Sequence, residues 1–125
     1  MAIIGLGTDI VEIARIENTI RRQPRFVQRI LTPAEQMHYK EHTDSVRYLA
    51  KRFAAKEAAA KALQTGIGRG VSWQHMQVEN DDSGAPHLIF SQGALTVFEE
   101  KKARSCHLSI SDEKHYAVAT VIIES

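Results

Sequence analysis

The chain has 125 residues, of which 43% are hydrophobic, 25% charged and 6% aromatic; this is the balance of a single globular domain over residues 1–125 and too apolar for a disordered segment. Sixteen Lys and Arg against fifteen Asp and Glu leave a net charge of +1, so no overall field draws nucleic acid. The single cysteine, Cys106, excludes an internal disulfide framework, no apolar run approaches the about 18 residues of a membrane span, and Met1–Ile10 lacks the basic start of a signal peptide, so a cytoplasmic protein with no membrane partner is expected.

The start, Ala2–Ile10, reads as a strand, and its Gly5 and Gly7 suggest close approach of another backbone. Ile13, Ile16 and Ile20 then fall at helical spacing until Pro24 interrupts or ends the helix. Thr32-Pro33-Ala34-Glu35 predicts a helix start, with Thr32 as N-cap and Glu35 completing a capping box, and the helix runs to about Glu41. His42–Ser45 reads as a turn that caps the next helix. Val46–Leu63 is the strongest helix, with seven alanines and no internal Gly or Pro, and Gly66, Gly68 and Gly70 mark its end. Asn80–Gly84 is expected as a turn between strands at about 73–79 and 87–90. A helix over Gln92–Lys102 comes next, and then strands His107–Ser111 and Tyr116–Ile123 joined as a hairpin. The order predicts an α+β fold, a mainly antiparallel sheet with the long Ala-rich helix packed on it.

Charge is distributed less evenly than the total implies. Residues 15–29 carry Arg15, Arg21, Arg22, Arg25 and Arg29 against Glu17, and residues 45–63 carry Arg47, Lys51, Arg52, Lys56 and Lys61 against Glu57, a local +4 in each. Two such segments suggest anion-binding surfaces, or else solvated helix faces.

Three places could carry chemistry. Glu57 and Lys61 lie four apart on the long helix: either an ordinary ion pair, or a carboxylate for a divalent cation beside an ammonium for a phosphate. Asp9 ends the first strand, where it either caps the adjoining helix or closes a turn or, if that strand lies beside the long helix, joins Glu57 in an oxygen-rich pair suited to Mg²⁺. His107, Ser109 and Ser111 alternate onto one strand face, open to solvent or to a phosphorylated ligand. Gly66–Gly70 lacks the Lys-Ser/Thr of a P-loop, no Gly-x-Ser-x-Gly elbow exists, and Cys106 and His107 point to opposite strand faces.

Gly7-Thr8-Asp9-Ile10 with Arg15, then Arg52-Phe53-Ala54-Ala55-Lys56-Glu57-Ala58-Ala59-Ala60-Lys61, then His107-Leu108-Ser109-Ile110-Ser111-Asp112 resembles the 4′-phosphopantetheinyl transferase superfamily. The short chain and Thr65–Arg69 are similar to its small bacterial branch. The resemblance spans about Ile3 to Ile123. It implies transfer of 4′-phosphopantetheine from coenzyme A to a serine of apo-acyl-carrier protein. It also implies catalytic roles for Asp9, Glu57 and Lys61, with Asp9 and Glu57 ligating Mg²⁺ and Lys61 on the pyrophosphate. Arg52, Lys56 and His107 would help hold the CoA phosphates, and Pro86 would lie beside the adenine. Glu57, Glu35 or a water on the metal would accept the serine proton. Arg15, Arg22, Arg25, Phe26 and Arg29 match the family surface that docks an acidic carrier-protein helix, while Arg21 has no counterpart. The family's small members are homotrimers with sites at subunit interfaces, which would set His107 and Pro86 of one chain against Asp9 and Glu57 of another. Ala85 stands where the family often has Lys. From a different class, a non-enzymatic basic module for an acidic partner would use the same helices.

Overall fold

A computed structural model describes residues 1–125. The elements in chain order are β1 (Ile3–Glu12), α1 (Ile13–Arg22), α2 (Phe26–Ile30), α3 (Pro33–Glu41), α4 (Ser45–Ala62), β2 (Met76–Asn80), β3 (Pro86–Phe90), α5 (Gln92–Glu100), β4 (Ser105–Asp112) and β5 (Tyr116–Glu124). The fold is α+β with antiparallel strand pairing throughout. The strands separate into two sheets, however: a three-stranded sheet in the order β1-β5-β4 and a two-stranded β2-β3 hairpin.

Local chemistry accounts for most boundaries. The Thr32 hydroxyl accepts from Glu35 N while the Glu35 side chain accepts from Thr32 N, the expected capping box at the start of α3. Asp44 caps α4 by accepting from Arg47 N. Gln64 and Gly66 take positive φ after α4, turning the chain out of the helix. The strand expected from residue 73 begins instead with a 3-10 turn, Trp73–His75, because Ser72 Oγ captures Gln74 N before the ladder starts at Met76.

The core lies between α4 and the inner face of the three-stranded sheet. Ala54, Ala55, Ala58, Ala59 and Ala62 of α4 and Ala117, Ala119, Val121 and Ile123 of β5 are all buried. Small side chains on both surfaces let the helix axis sit close to the sheet. Gly5 and Gly7 take this furthest: a Cβ on Gly5 would strike the Ala62 carbonyl oxygen, and one on Gly7 the Ala58 carbonyl oxygen. The opposite sheet face stays open, with Ile3, Leu6 and Ile10 each 64% exposed.

Candidate functional site

Because Gly5 and Gly7 admit α4, the next inward residue of β1 lands on the second half of that helix. That residue is Asp9. Lys61 Nζ donates to Asp9 Oδ1 at 3.2 Å and to the Thr8 carbonyl at 2.9 Å. Glu57, one turn earlier on α4, receives a hydrogen bond on Oε2 from Trp73 Nε1 at 3.2 Å, and no hydrogen bond reaches Oε1. Burial raises the Glu57 carboxyl above the ordinary carboxylate range; Asp9's charge adds to the rise, while Trp73 and Lys61 oppose it. Lys61 pairs with Asp9 and forms no ion pair with Glu57. Nor does Asp9 cap a helix, since β1 continues to Glu12. Asp9, Glu57 and Lys61 therefore form one cluster on two elements.

The cluster offers carboxylate oxygens only, and nowhere do three or more His, Cys, Asp or Glu side chains gather to hold a metal. A closed zinc site is thereby disfavoured. Magnesium is commonly held by one or two carboxylates, with substrate phosphates and waters filling the rest, and Asp9 with Glu57 fits that pattern.

Arg52 occupies a second locale on the same helix. A cavity of about 690 Å³ opens between α3, the first half of α4 and β2, lined by His38, Arg47, Tyr48, Lys51, Arg52 and Asn80 among others. The Arg52 guanidinium lies 4.3 Å from the Tyr48 ring centroid, and its Nη2 donates to Asn80 Oδ1 at 3.0 Å. Its Nε is buried without a partner. An orphaned guanidinium N–H is a donor that an anionic group would satisfy. Asn80 pairs with Pro86 across the β2-β3 hairpin, which places Pro86 near the Arg52 locale of its own chain.

Lys56 requires a correction. The resemblance implies a CoA phosphate contact, but the side chain is fully buried and its ammonium has three acceptors inside the protein. Nζ donates to Glu35 Oε1 at 2.6 Å, to the Ile30 carbonyl at 2.6 Å and to the Trp73 carbonyl at 3.2 Å. Burial lowers its pKa, and the neighbouring Glu35 charge limits the fall. With its three N–H donors committed, Lys56 is a strut. Glu35 is equally committed: Oε1 also accepts from Thr32 N, and Oε2 accepts from Val78 N at 2.8 Å. Both of its oxygens therefore have partners within the protein.

His107 lies on the open face of β4, in register with Ile122 of β5, whereas Asp9 points from β1 toward α4. A single chain does not bring His107 to the carboxylates. Its Nε2 is 2.7 Å from Glu124 Oε1, a partner no local spacing reveals. Cys106 faces the other way, and burial pushes its thiol up to about 12, which keeps it inert.

The first basic segment forms α1, the turn at Pro24 and α2. Arg15, Arg22, Arg25 and Arg29 are exposed and make no salt bridge, while Arg21 pairs with Glu17 at 3.8 Å. Phe26 is half-buried, its ring centroid 5.6 Å from that of Phe53, which lies 6.5 Å from Trp73. Gln23, Pro24, Arg25, Gln28 and Arg29 line a shallow groove at this corner. No site motif in the sequence singles out Trp73, Asn80 or Tyr48, yet Trp73 holds Glu57 and the other two hold Arg52.

Residues 5–121 match the model of the 4′-phosphopantetheinyl transferase superfamily. The holo-[acyl-carrier-protein] synthase of Shewanella baltica is 60% identical over 126 residues, covering 100% of this chain and 99% of its own. That of Alteromonas mediterranea is 56% identical over 125 residues, again covering 100% and 99%. The crystal structure of the Neisseria meningitidis holo-[acyl-carrier-protein] synthase superposes with a TM-score of 0.93 at 40% identity, covering 99% of this chain and 100% of that one. The Bacillus anthracis structure, in complex with CoA (3′,5′-ADP), gives 0.83 at 42% identity over 98% and 97% of the two chains.

Proposed function

Since the chain belongs to the 4′-phosphopantetheinyl transferase superfamily, we propose that it transfers 4′-phosphopantetheine from coenzyme A to a serine of apo-acyl-carrier protein, releasing adenosine 3′,5′-bisphosphate. The observation that carries this reading is the convergence of Asp9, Glu57 and Lys61 where β1 meets α4, with the Arg52 locale on the same helix.

In the reaction the serine oxygen bonds to the β-phosphorus of CoA, the bond from that phosphorus to the bridging oxygen breaks, and the bisphosphate leaves. The protein's work is placement and charge neutralisation. Asp9 and Glu57 would hold Mg²⁺, which supplies positive charge to the pyrophosphate oxygens. Lys61 is exposed enough to leave Asp9 and meet the pyrophosphate. Arg52, oriented by Tyr48 and Asn80 in the wall of the cavity, offers its guanidinium to a phosphate, and Pro86 would border the adenine. The serine proton must leave with the bond change. Both Glu35 oxygens already hold partners inside the protein, which favours Glu57 or a water on the metal as its acceptor.

Arg15, Arg22, Arg25 and Arg29 around Phe26 form the docking surface for an acidic carrier-protein helix. Their lack of acidic partners within the chain supports that role, since unpaired surface charge steers a complementary partner. A homotrimer is the assembled form. The open sheet face, with Ile3, Leu6 and Ile10 exposed, supplies an apolar surface for other copies, and a neighbour's His107 would reach a site that its own chain does not bring it to. No helix is long and apolar enough to cross a membrane, and a cytoplasmic role in fatty-acid synthesis accords with the substrates.

The test is intact-mass spectrometry of apo-acyl-carrier protein incubated with the protein, CoA and Mg²⁺. A gain of about 340 Da that EDTA abolishes is the expected result. Glu57→Ala should lower the rate by about 10²–10³-fold at an unchanged circular dichroism spectrum. No mass gain with a folded protein and a competent carrier would leave the non-enzymatic basic module as the better reading.

A further inference from the structure

Glu57 sits on a helix face where nothing of its own element fixes the carboxylate. Its only hydrogen bond comes from Trp73 Nε1 at 3.2 Å, which engages Oε2 and leaves Oε1 free. The indole is itself held at several points. Ser72 Oγ accepts from Gln74 N and shapes the 3-10 turn that presents Trp73, and Lys56 Nζ donates to the Trp73 carbonyl at 3.2 Å. Phe53 packs on the ring at 6.5 Å between centroids. The buried Lys56–Glu35 pair is thus linked through the backbone and ring of one residue to the carboxylate that faces Asp9.

We propose that Trp73 is a positioning residue for the cation site: its indole N–H fixes the Glu57 carboxylate by one oxygen so that the other is presented, with Asp9, to the divalent ion. This rests on the proposed assignment of that ion to Asp9 and Glu57. A freely rotating carboxylate must be ordered on binding, and a carboxylate ordered in advance loses less rotamer freedom when it captures the ion. Packing alone does not require an N–H at this position, since an aromatic ring without one also packs against Phe53.

Trp73→Phe keeps a smaller aromatic ring and removes the donor. The measurement is the affinity for Mn²⁺, read in the presence of CoA from the electron paramagnetic resonance signal of the free ion, in wild type, Trp73→Phe and Glu57→Ala. The expected result is about tenfold weaker binding in Trp73→Phe, as for loss of a hydrogen bond to a charged group, and no measurable binding in Glu57→Ala. In turnover, Trp73→Phe should raise the KM for Mg²⁺ while the KM for carrier protein holds. Mn²⁺ affinity within twofold of wild type in Trp73→Phe, alongside lost binding in Glu57→Ala, overturns the positioning role and leaves the cation site standing. Retained binding in Glu57→Ala overturns both. A second readout needs no variant, because Trp73 is the only tryptophan in the chain. Its emission should change on titration with Mg²⁺ and saturate at the concentration that half-saturates activity; an emission indifferent to saturating Mg²⁺ also overturns the proposal.

Discussion

Lys56 and Lys61 stand five residues apart on one helix, in a stretch where every other residue but Glu57 is alanine, yet they inhabit opposite physical regimes. Lys56 is fully buried, with Glu35 and two carbonyl groups around its ammonium, while the Lys61 side chain is 56% exposed and pairs loosely with Asp9 at the edge of the sheet. A five-residue step turns about 140° around an α-helix, enough to move a side chain from the α3–β2 side to the β1 side. The difference teaches that the Lys-Glu-x-x-x-Lys segment holds two devices. Lys56 ties α4 to α3 and to the turn bearing Trp73, and Glu57 with Lys61 uses the frame so made.

The largest expected effect tests that division directly. Lys56→Met leaves the Glu35 carboxylate buried without its counter-charge, which costs about 3–5 kcal/mol. For a domain of this length the thermal midpoint should fall by about 10–20 °C, measurable by circular dichroism. Lys61→Met should change stability by under about 1 kcal/mol, as for other exposed ion pairs, while transfer activity drops. If Lys56→Met keeps its midpoint and loses affinity for CoA, the two lysines do the same job and the comparison fails.

The second effect concerns the docking arginines, which share the exposed character of Lys61 but lack its internal partner. Replacing both Arg25 and Arg29 with Glu should raise the KM for acyl-carrier protein about tenfold or more, leaving the KM for CoA within twofold. Added salt should narrow the gap between wild type and variant, because exposed charges are screened within about 10 Å at 0.1 M. Equal changes in both KM values would instead place these arginines in the CoA site.

Much of this was legible in the residues. The capping box at Thr32, the alanine-rich helix, the turn before β3 and the β4–β5 hairpin all have local signatures, and each appears where its signature lies. The two strand glycines predicted a close backbone, and the Ala58 and Ala62 carbonyls are that backbone. What local spacing could not show were contacts between distant segments. Glu35 completes its own cap and also reaches Lys56, 21 residues away, and Val78 N, 43 residues away. Nothing within a few residues of Lys56 marks it as buried, whereas a near-continuous apolar surround on α4 does so only once the sheet and α3 are in place. The split into two sheets is equally non-local, since it depends on β3 and β4 failing to pair across α5.

The smallest effect bears on why the Glu57 half of the motif is poorly stabilised. Burial holds the Glu57 carboxyl above its ordinary value of 4.5, with Asp9's charge adding to the rise, so the folded chain keeps this proton more tightly than the unfolded one. Stability from this group is therefore complete below the unfolded pKa and is lost as pH climbs through the raised folded value. Glu57→Gln removes that loss while still accepting from the Trp73 indole. The variant should match wild type in thermal midpoint at pH 4 and exceed it at pH 7, by under about 1 kcal/mol because water reaches part of the side chain. Parallel midpoints across that range would mean that Lys61 and Trp73 fully offset the desolvation. The carboxylate would then be settled in place like Glu35, with no free energy held back for a cation to recover.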